Sequence, residues 1–115
     1  MISQDDIDAM QHLDFDSYQR QAVTTAIYPS TAQVMYPAMG LANEAGEVLG
    51  KVKKIIRDGT FNRDEIADEL GDVLWYAAAL ARDLNVDLST VARRNLDKLA
   101  SRQERGTLGG SGDKR

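Results

Sequence analysis

The nine residues Val73–Ala81, VLWYAAALA, carry no charge and follow directly on the acid-rich stretch IADELGD. Nine residues are far too few to span a bilayer, which takes about 20. A helix apolar nearly all round has to bury several of its sides. The segment is therefore expected at the centre of a helical bundle or against a partner subunit. The rest of the chain favours the same architecture. Alanine and leucine are plentiful, prolines number two and aromatics make up 6%. A β-sandwich would instead want regular turn signals and β-branched runs.

Punctuation divides the chain into helices. Ser3 can cap a short first turn through Gln11. Asp14 or Asp16 can cap a helix over about 17–27, with Tyr18, Ala22 and Ile27 as its apolar stripe. Tyr28-Pro29 ends it, because the residue before proline is pushed out of the α region. The next helix is expected from about 31–37 to Arg57, with the stripe Leu41, Ala45, Val48, Val52, Ile55 and Ile56 at helical spacing. Gly59 stops it. Asn62 followed by Glu65 reads as a capping box for a third helix running to about Leu84. Asp87 or Ser89 opens a last helix, about 88–104, whose core face is Leu88, Ala92, Leu96 and Leu99. Gly106 closes it. The tail 107–115, TLGGSGDKR, holds three glycines and by composition alone is a disordered terminus.

At 115 residues the chain reads as one domain, 1–115. A chain this short hides only about two-thirds of its unfolded surface when it folds alone, so pairing with copies of itself is a natural way to gain core. The formal charge is −4, so no basic excess steers the chain onto nucleic acid, and no nucleic-acid partner is expected. An acidic protein still binds an anionic ligand when a cation mediates. Cysteine is absent, which removes disulfides, thiolate ligation and thiol catalysis and suits the cytoplasm. MISQDDIDAM has no apolar core and does not read as a secretory signal. No membrane association is expected.

The chemistry is concentrated in misplaced acids. Glu44 and Glu47 stand three apart in an apolar helix and so share a face. Glu69 and Asp72 repeat the arrangement in the next helix. Packing the two pairs side by side would bury like charges, at several kcal/mol per ion. A hard divalent cation resolves the conflict, because Mg²⁺ and Mn²⁺ prefer oxygen ligands. One Glu-x-x-Glu is ordinarily a solvated helix face; two copies flanking one short loop weigh as much for a metal site as for the surface. Gly46 and Gly71 lie inside the pairs, and since glycine costs a helix about 1 kcal/mol, such positions usually mark close backbone approach.

Complementary charge comes from the last helix. Asn95, Lys98, Arg102 and Arg105 lie along one face, either to neutralise a polyphosphate or as a solvated basic surface. Lys53, Lys54 and Arg57 invite the same two readings. Tyr76, four residues after Asp72, either bonds a phosphate or metal ligand or is a satisfied core tyrosine. Trp75 reads as packing or interface. Tyr18, Gln19, Tyr28 and Tyr36 are candidates for a base pocket, and His12 is read as a surface residue.

Glu44-Ala-Gly-Glu47, then 21 residues, then Glu69-Leu-Gly-Asp72 resembles the ExxE…ExxD signature of the MazG-like all-α nucleoside triphosphate pyrophosphohydrolases. The similarity extends through GLANEAGEVLGKVKKIIRDG, DELGDVLWYAAALARDLNVDLSTVARRNLDKLASR, RGTLGGSGDKR and YQRQAVTTAIYP, covering about 15–115. The resemblance implies an all-α fold of four main helices per protomer, assembled as a dimer or a dimer of dimers. It implies Mg²⁺-dependent hydrolysis of (d)NTP to (d)NMP and pyrophosphate, with Mn²⁺ able to substitute. Glu44, Glu47, Glu69 and Asp72 become metal ligands, with Glu47, or else Glu44, as catalytic base. Tyr76, Asn95 and Lys98 fall where the family contacts phosphates or its acids, and Arg102 and Arg105 extend that face. Lys54 and Gln19 complete the expected substrate contacts. The tail becomes a segment able to close over the nucleotide. A purine deoxynucleotide such as dGTP is favoured and a pyrimidine stays open, as does the role, pool cleansing or phage nucleotide metabolism. Two rivals remain. A carboxylate-bridged di-iron bundle needs Glu-x-x-His pairs, which a chain with one histidine outside both motifs lacks. A non-catalytic helical nucleotide-binding or interaction module would have no need of all four acids.

Overall fold

The computed structural model describes the backbone of residues 1–115 and the side chains of all but 9–11. It is all-helical: α1 (Gln4–Gln11), α2 (Phe15–Ala22), α3 (Met35–Asp58), α4 (Arg63–Asp83) and α5 (Leu88–Arg105), with single 3₁₀ turns at Val23–Thr25 and Ser30–Ala32. The four main helices are α2 to α5. Local chemistry accounts for most of their ends. Ser3 and Asp14 each exchange side-chain bonds with the residue three ahead, closing capping boxes on α1 and α2. Asn62 accepts the Glu65 N–H at 3.1 Å. Gly59 and Gly106 end α3 and α5 in the left-handed conformation that favours glycine. Asp87 precedes α5 without a side-chain cap; Asp16, reaching from α2, takes the Ser89 N–H at 3.0 Å and its hydroxyl at 2.7 Å instead.

α3 and α4 form a long antiparallel hairpin, and α2 and α5 pack on the C-terminal half of α4. The core there is made of small residues: Ala22, Ala78, Ala81 and Leu88, flanked by Tyr18 and Trp75. Ala78 and Ala79 are completely buried, so the uncharged segment does lie at the centre of the bundle. Three apolar expectations need correction. Ile27 is 97% exposed, because α2 gives way to a 3₁₀ turn at Val23 before the stripe reaches it. Leu96 and Leu99 of α5 are also exposed, since that helix touches the bundle mainly through its first turns. Among the stripe residues of α3, Ala45, Val52 and Ile56 face outward. The radius of gyration is 17.1 Å, against about 13 Å for a compact chain of this length. No helix is long and apolar enough to cross a membrane among the described residues.

Candidate active site

The hairpin delivers acids from both of its helices to one place. Carboxylate oxygens of Glu44 on α3 and of Glu69 and Asp72 on α4 all lie within 4.8 Å of one another. Glu44 and Glu69 are half-buried and Asp72 is exposed. Glu47 falls outside this trio, though its charge is felt there. Burial, followed by the charges of Asp72, Glu69 and Glu47, pushes the Glu44 carboxyl above the usual glutamate value. Among the described residues, no ion pair reaches any of the four acids. Converging carboxylates without a cation are the donor set a hard divalent ion requires, so the trio fits such an ion on its own chemistry.

Beside the trio lies a pocket of about 370 Å³ lined by Thr25, Glu44, Asp72, Trp75 and Tyr76. Its wall is fixed from the core side. The Trp75 indole N–H donates to the Ala22 carbonyl at 3.0 Å and to Thr25 Oγ1 at 2.9 Å. Tyr76 packs edge-on against Trp75, with ring centroids 4.9 Å apart. Burial foremost, then neighbouring Tyr36 and the charges of Glu44 and Asp72, raises its phenol pKa. The Tyr76 ring occupies the space a side chain at Gly40 would need: a Cβ there would overlap the ring. Tyr36, Gly40 and Glu44 recur at intervals of four and so share one face of α3. Gly40 is thus the true close approach of the hairpin. Gly46 and Gly71, read from sequence in that role, have open space where a Cβ would go.

Tyr28 stacks on Tyr36 at 4.7 Å and 19°, and Tyr36 lies 6.3 Å from Tyr76, so an aromatic ladder leads away from the acids. Tyr18 is near enough to Asp72 for burial first, and then that charge, to raise its pKa. A larger cleft, about 610 Å³, separates α1 from α2 and includes His12, Asp5, Asp6 and Asp14; it contains none of the four motif acids.

Gln19 requires a correction. It is buried, and its side-chain amide donates to the carbonyls of Ala78 at 3.2 Å and Val86 at 3.1 Å while accepting the Leu88 N–H at 3.0 Å. Both donors are used, and the group staples α2 to α4 and to the turn before α5, leaving nothing to read a base. Lys54 stands at the loop end of the hairpin, lining a small cavity with Asp58 and Asn62, about 15 Å along α3 from Glu44. Within one chain the polar face of α5 serves the tail. Lys98 Nζ is 3.2 Å from Asp113, and the buried Arg102 donates to the Asp113 carbonyl at 2.9 Å. Arg105 donates to the Arg115 carbonyl at 2.9 Å, and Arg115 returns to the carbonyls of Thr107 and Leu108. The glycine-rich tail therefore folds back as a bonded loop, not the free terminus its composition suggests. Asn95 is exposed.

Comparison with known proteins decides the lineage: the family model of the MazG nucleotide pyrophosphohydrolase domain matches residues 36–107, from the aromatic ladder through the end of α5. The chain belongs to the MazG nucleotide pyrophosphohydrolase family. The Gene 37 protein of Mycobacterium phage L5 is 52% identical, over 87% of this chain and 97% of its own length. No solved structure matches. The MazG match spans both acidic pairs and both helices that carry them, and a member of this family is a nucleotide pyrophosphohydrolase at the family level.

Proposed function

We propose that the chain hydrolyses (deoxy)nucleoside triphosphates to the monophosphate and pyrophosphate with Mg²⁺, which Mn²⁺ replaces. The observation that carries this reading is the meeting of Glu44, Glu69 and Asp72 oxygens within 4.8 Å in a chain of a pyrophosphohydrolase family. Glu44, Glu69 and Asp72 hold the metal, with Glu47 completing the set or acting from its edge. A bound Mg²⁺ supplies an acidified water and charge neutralisation for the phosphates.

The protein's own groups do the rest. Glu47, exposed and outside the trio, accepts the proton of the attacking water as its oxygen adds to the α-phosphorus. Glu44, whose proton affinity is raised, is the other group able to take that part. The pyrophosphate departs as the bond to the α-phosphorus breaks. Tyr76, fixed by Gly40 and Trp75, offers its hydroxyl to a phosphate oxygen across the pocket. Lys98, Arg102, Arg105 and Asn95 are the donors for the outer phosphates, and the tail loop that Lys98, Arg102 and Arg105 hold closes over the nucleotide.

The exposed apolar stripe on α3 supports assembly as a homodimer or a dimer of dimers. Leu49 is 69%, Val52 40% and Ile56 85% exposed, and monomers rarely leave such a row in water. The setting is the cytoplasm, that of the host where the gene is carried by a phage, and the role is control or cleansing of the nucleotide pool. A purine deoxynucleotide such as dGTP is the favoured substrate. A panel of the eight common (d)NTPs with Mg²⁺, scored for pyrophosphate release, tests the reading. Release from at least one, abolished by chelation, is expected; orthophosphate release alone, or no hydrolysis of any, rejects it.

A further inference from the structure

α3 begins in a strained turn. Val34 has φ 68° and ψ −55°, and the Met35 N–H reaches back to the Gln33 carbonyl at 2.8 Å. Together these define a γ-turn of the rare, positive-φ kind, and a β-branched residue seldom occupies it. Such strain persists only where the surroundings over-determine it. Here the determinant is Asp83, in the last turn of α4, whose side chain is wholly buried. Its Oδ2 accepts the Val34 N–H at 3.0 Å and the Tyr28 hydroxyl at 2.7 Å. Its Oδ1 accepts Arg82 Nε at 2.9 Å, and Arg82 also donates to the Tyr28 hydroxyl at 3.0 Å.

This cluster is aligned with the acids. Asp83 lies eleven residues after Asp72, about three turns of helix, and so on the same side of α4. On α3 the turn at Val34 immediately precedes Tyr36, and Tyr36, Gly40 and Glu44 follow along one face. One carboxylate therefore fixes both ends of the Tyr28–Tyr36 stack and the register in which α3 enters the hairpin. Neither Val34 nor Tyr36 is itself buried.

We infer that Asp83 is a positioning residue: by holding Val34 in its left-handed turn, it sets Tyr28 and Tyr36 as the aromatic wall that receives the substrate's base. This rests on the proposed hydrolysis, because the wall continues through Tyr76 into the pocket of that site. Being remote from the reacting phosphorus, the wall contributes equally to ground and transition state, so its loss appears in KM.

The test compares full-length wild type with Asp83→Ala, Val34→Gly and the double variant. It reads steady-state pyrophosphate release together with the near-ultraviolet circular dichroism of the tyrosines. Asp83→Ala is expected to raise KM about tenfold, with kcat within about threefold. Adding Val34→Gly, which accepts positive φ without strain, is expected to recover at least about threefold of that loss. If Asp83→Ala does not fold, Asp83→Asn takes its place with the same direction of change. A fall in kcat with KM unchanged, or a folded double variant no better than the single, overturns the inference. If wild type hydrolyses no triphosphate, the functional reading fails, and the dichroism still decides the positioning role. A tyrosine band lost in Asp83→Ala and regained in the double variant upholds it; an unchanged band overturns it.

Discussion

The two halves of α4 live in different worlds. Its C-terminal half is packed by α2 and α5 through alanines and closed by polar staples: Gln19 with three buried bonds, Trp75 on Ala22 and Thr25, and Asp83 on Val34 and Tyr28. Its N-terminal half runs along α3, presents Glu69 and Asp72, and leaves Leu70 exposed. One half is complete within the chain. The other presents converging carboxylates on its inner side and exposed apolar side chains on its outer side. The acids and the packing that anchors the helix are thereby concentrated in different stretches of α4, and substitutions in each should fail in different ways.

The largest effect is expected in the incomplete half. Asp72→Asn should lower pyrophosphate release at least about a hundredfold, because a ligand charge is lost at the proposed metal site. Its melting temperature should hold or rise, since one of several repelling carboxylates has been neutralised. Loss of fold with activity would break the contrast. In the complete half, Gln19→Leu should cost about 3 kcal/mol or more in urea unfolding, because the Ala78 and Val86 carbonyls and the Leu88 N–H lose their partner in a buried place. Metal binding by the folded fraction should survive, and a neutral substitution would mean the staple is idle. On the outer side of the hairpin, Leu49→Glu should weaken the proposed self-association at least about thirtyfold, or roughly 2 kcal/mol, seen by sedimentation. An unchanged sedimentation profile would contradict an interface on α3.

The smallest effect is one of pH. Glu44 binds its proton more tightly in the folded chain than in the unfolded one, chiefly through burial and then through Asp72 and Glu69. Its contribution to stability is therefore complete below the ordinary glutamate value of 4.5 and is lost as pH rises through the elevated folded value. Metal-free wild type, compared with Glu44→Gln, should gain relative stability as pH falls from 7 toward about 5. With Mg²⁺ present the trend should reverse, because the ion requires the deprotonated ligand.

Much of the fold is legible in the residues because the signals are local. Ser3, Asp14, Asn62, Gly59 and Gly106 mark helix ends by chemistry confined to one turn. The uncharged run after Asp72 announces its own burial. Periodicity alone fails at Leu96, Leu99 and Ile27, since it identifies an apolar face without saying whether another helix covers it. Glycine is equally ambiguous: Gly46 and Gly71 stand inside the acidic pairs with open space around them, while Gly40 is fixed by a tyrosine 36 residues away. Gln19 carried a usable signal, being three residues from buried Ala22 and hence on the core side of α2. The role of Asp83 was hidden, because a γ-turn leaves no pattern in the residues that form it.

The acids are the centre of the account, and metal affinity measured directly tests them without assuming any substrate. Titration of the nucleotide-free protein with Mn²⁺, followed by electron paramagnetic resonance, should show saturable binding in wild type. Asp72→Asn and Glu44→Gln should each weaken it at least about tenfold. Equal Mn²⁺ affinity in wild type and both variants would contradict the assignment.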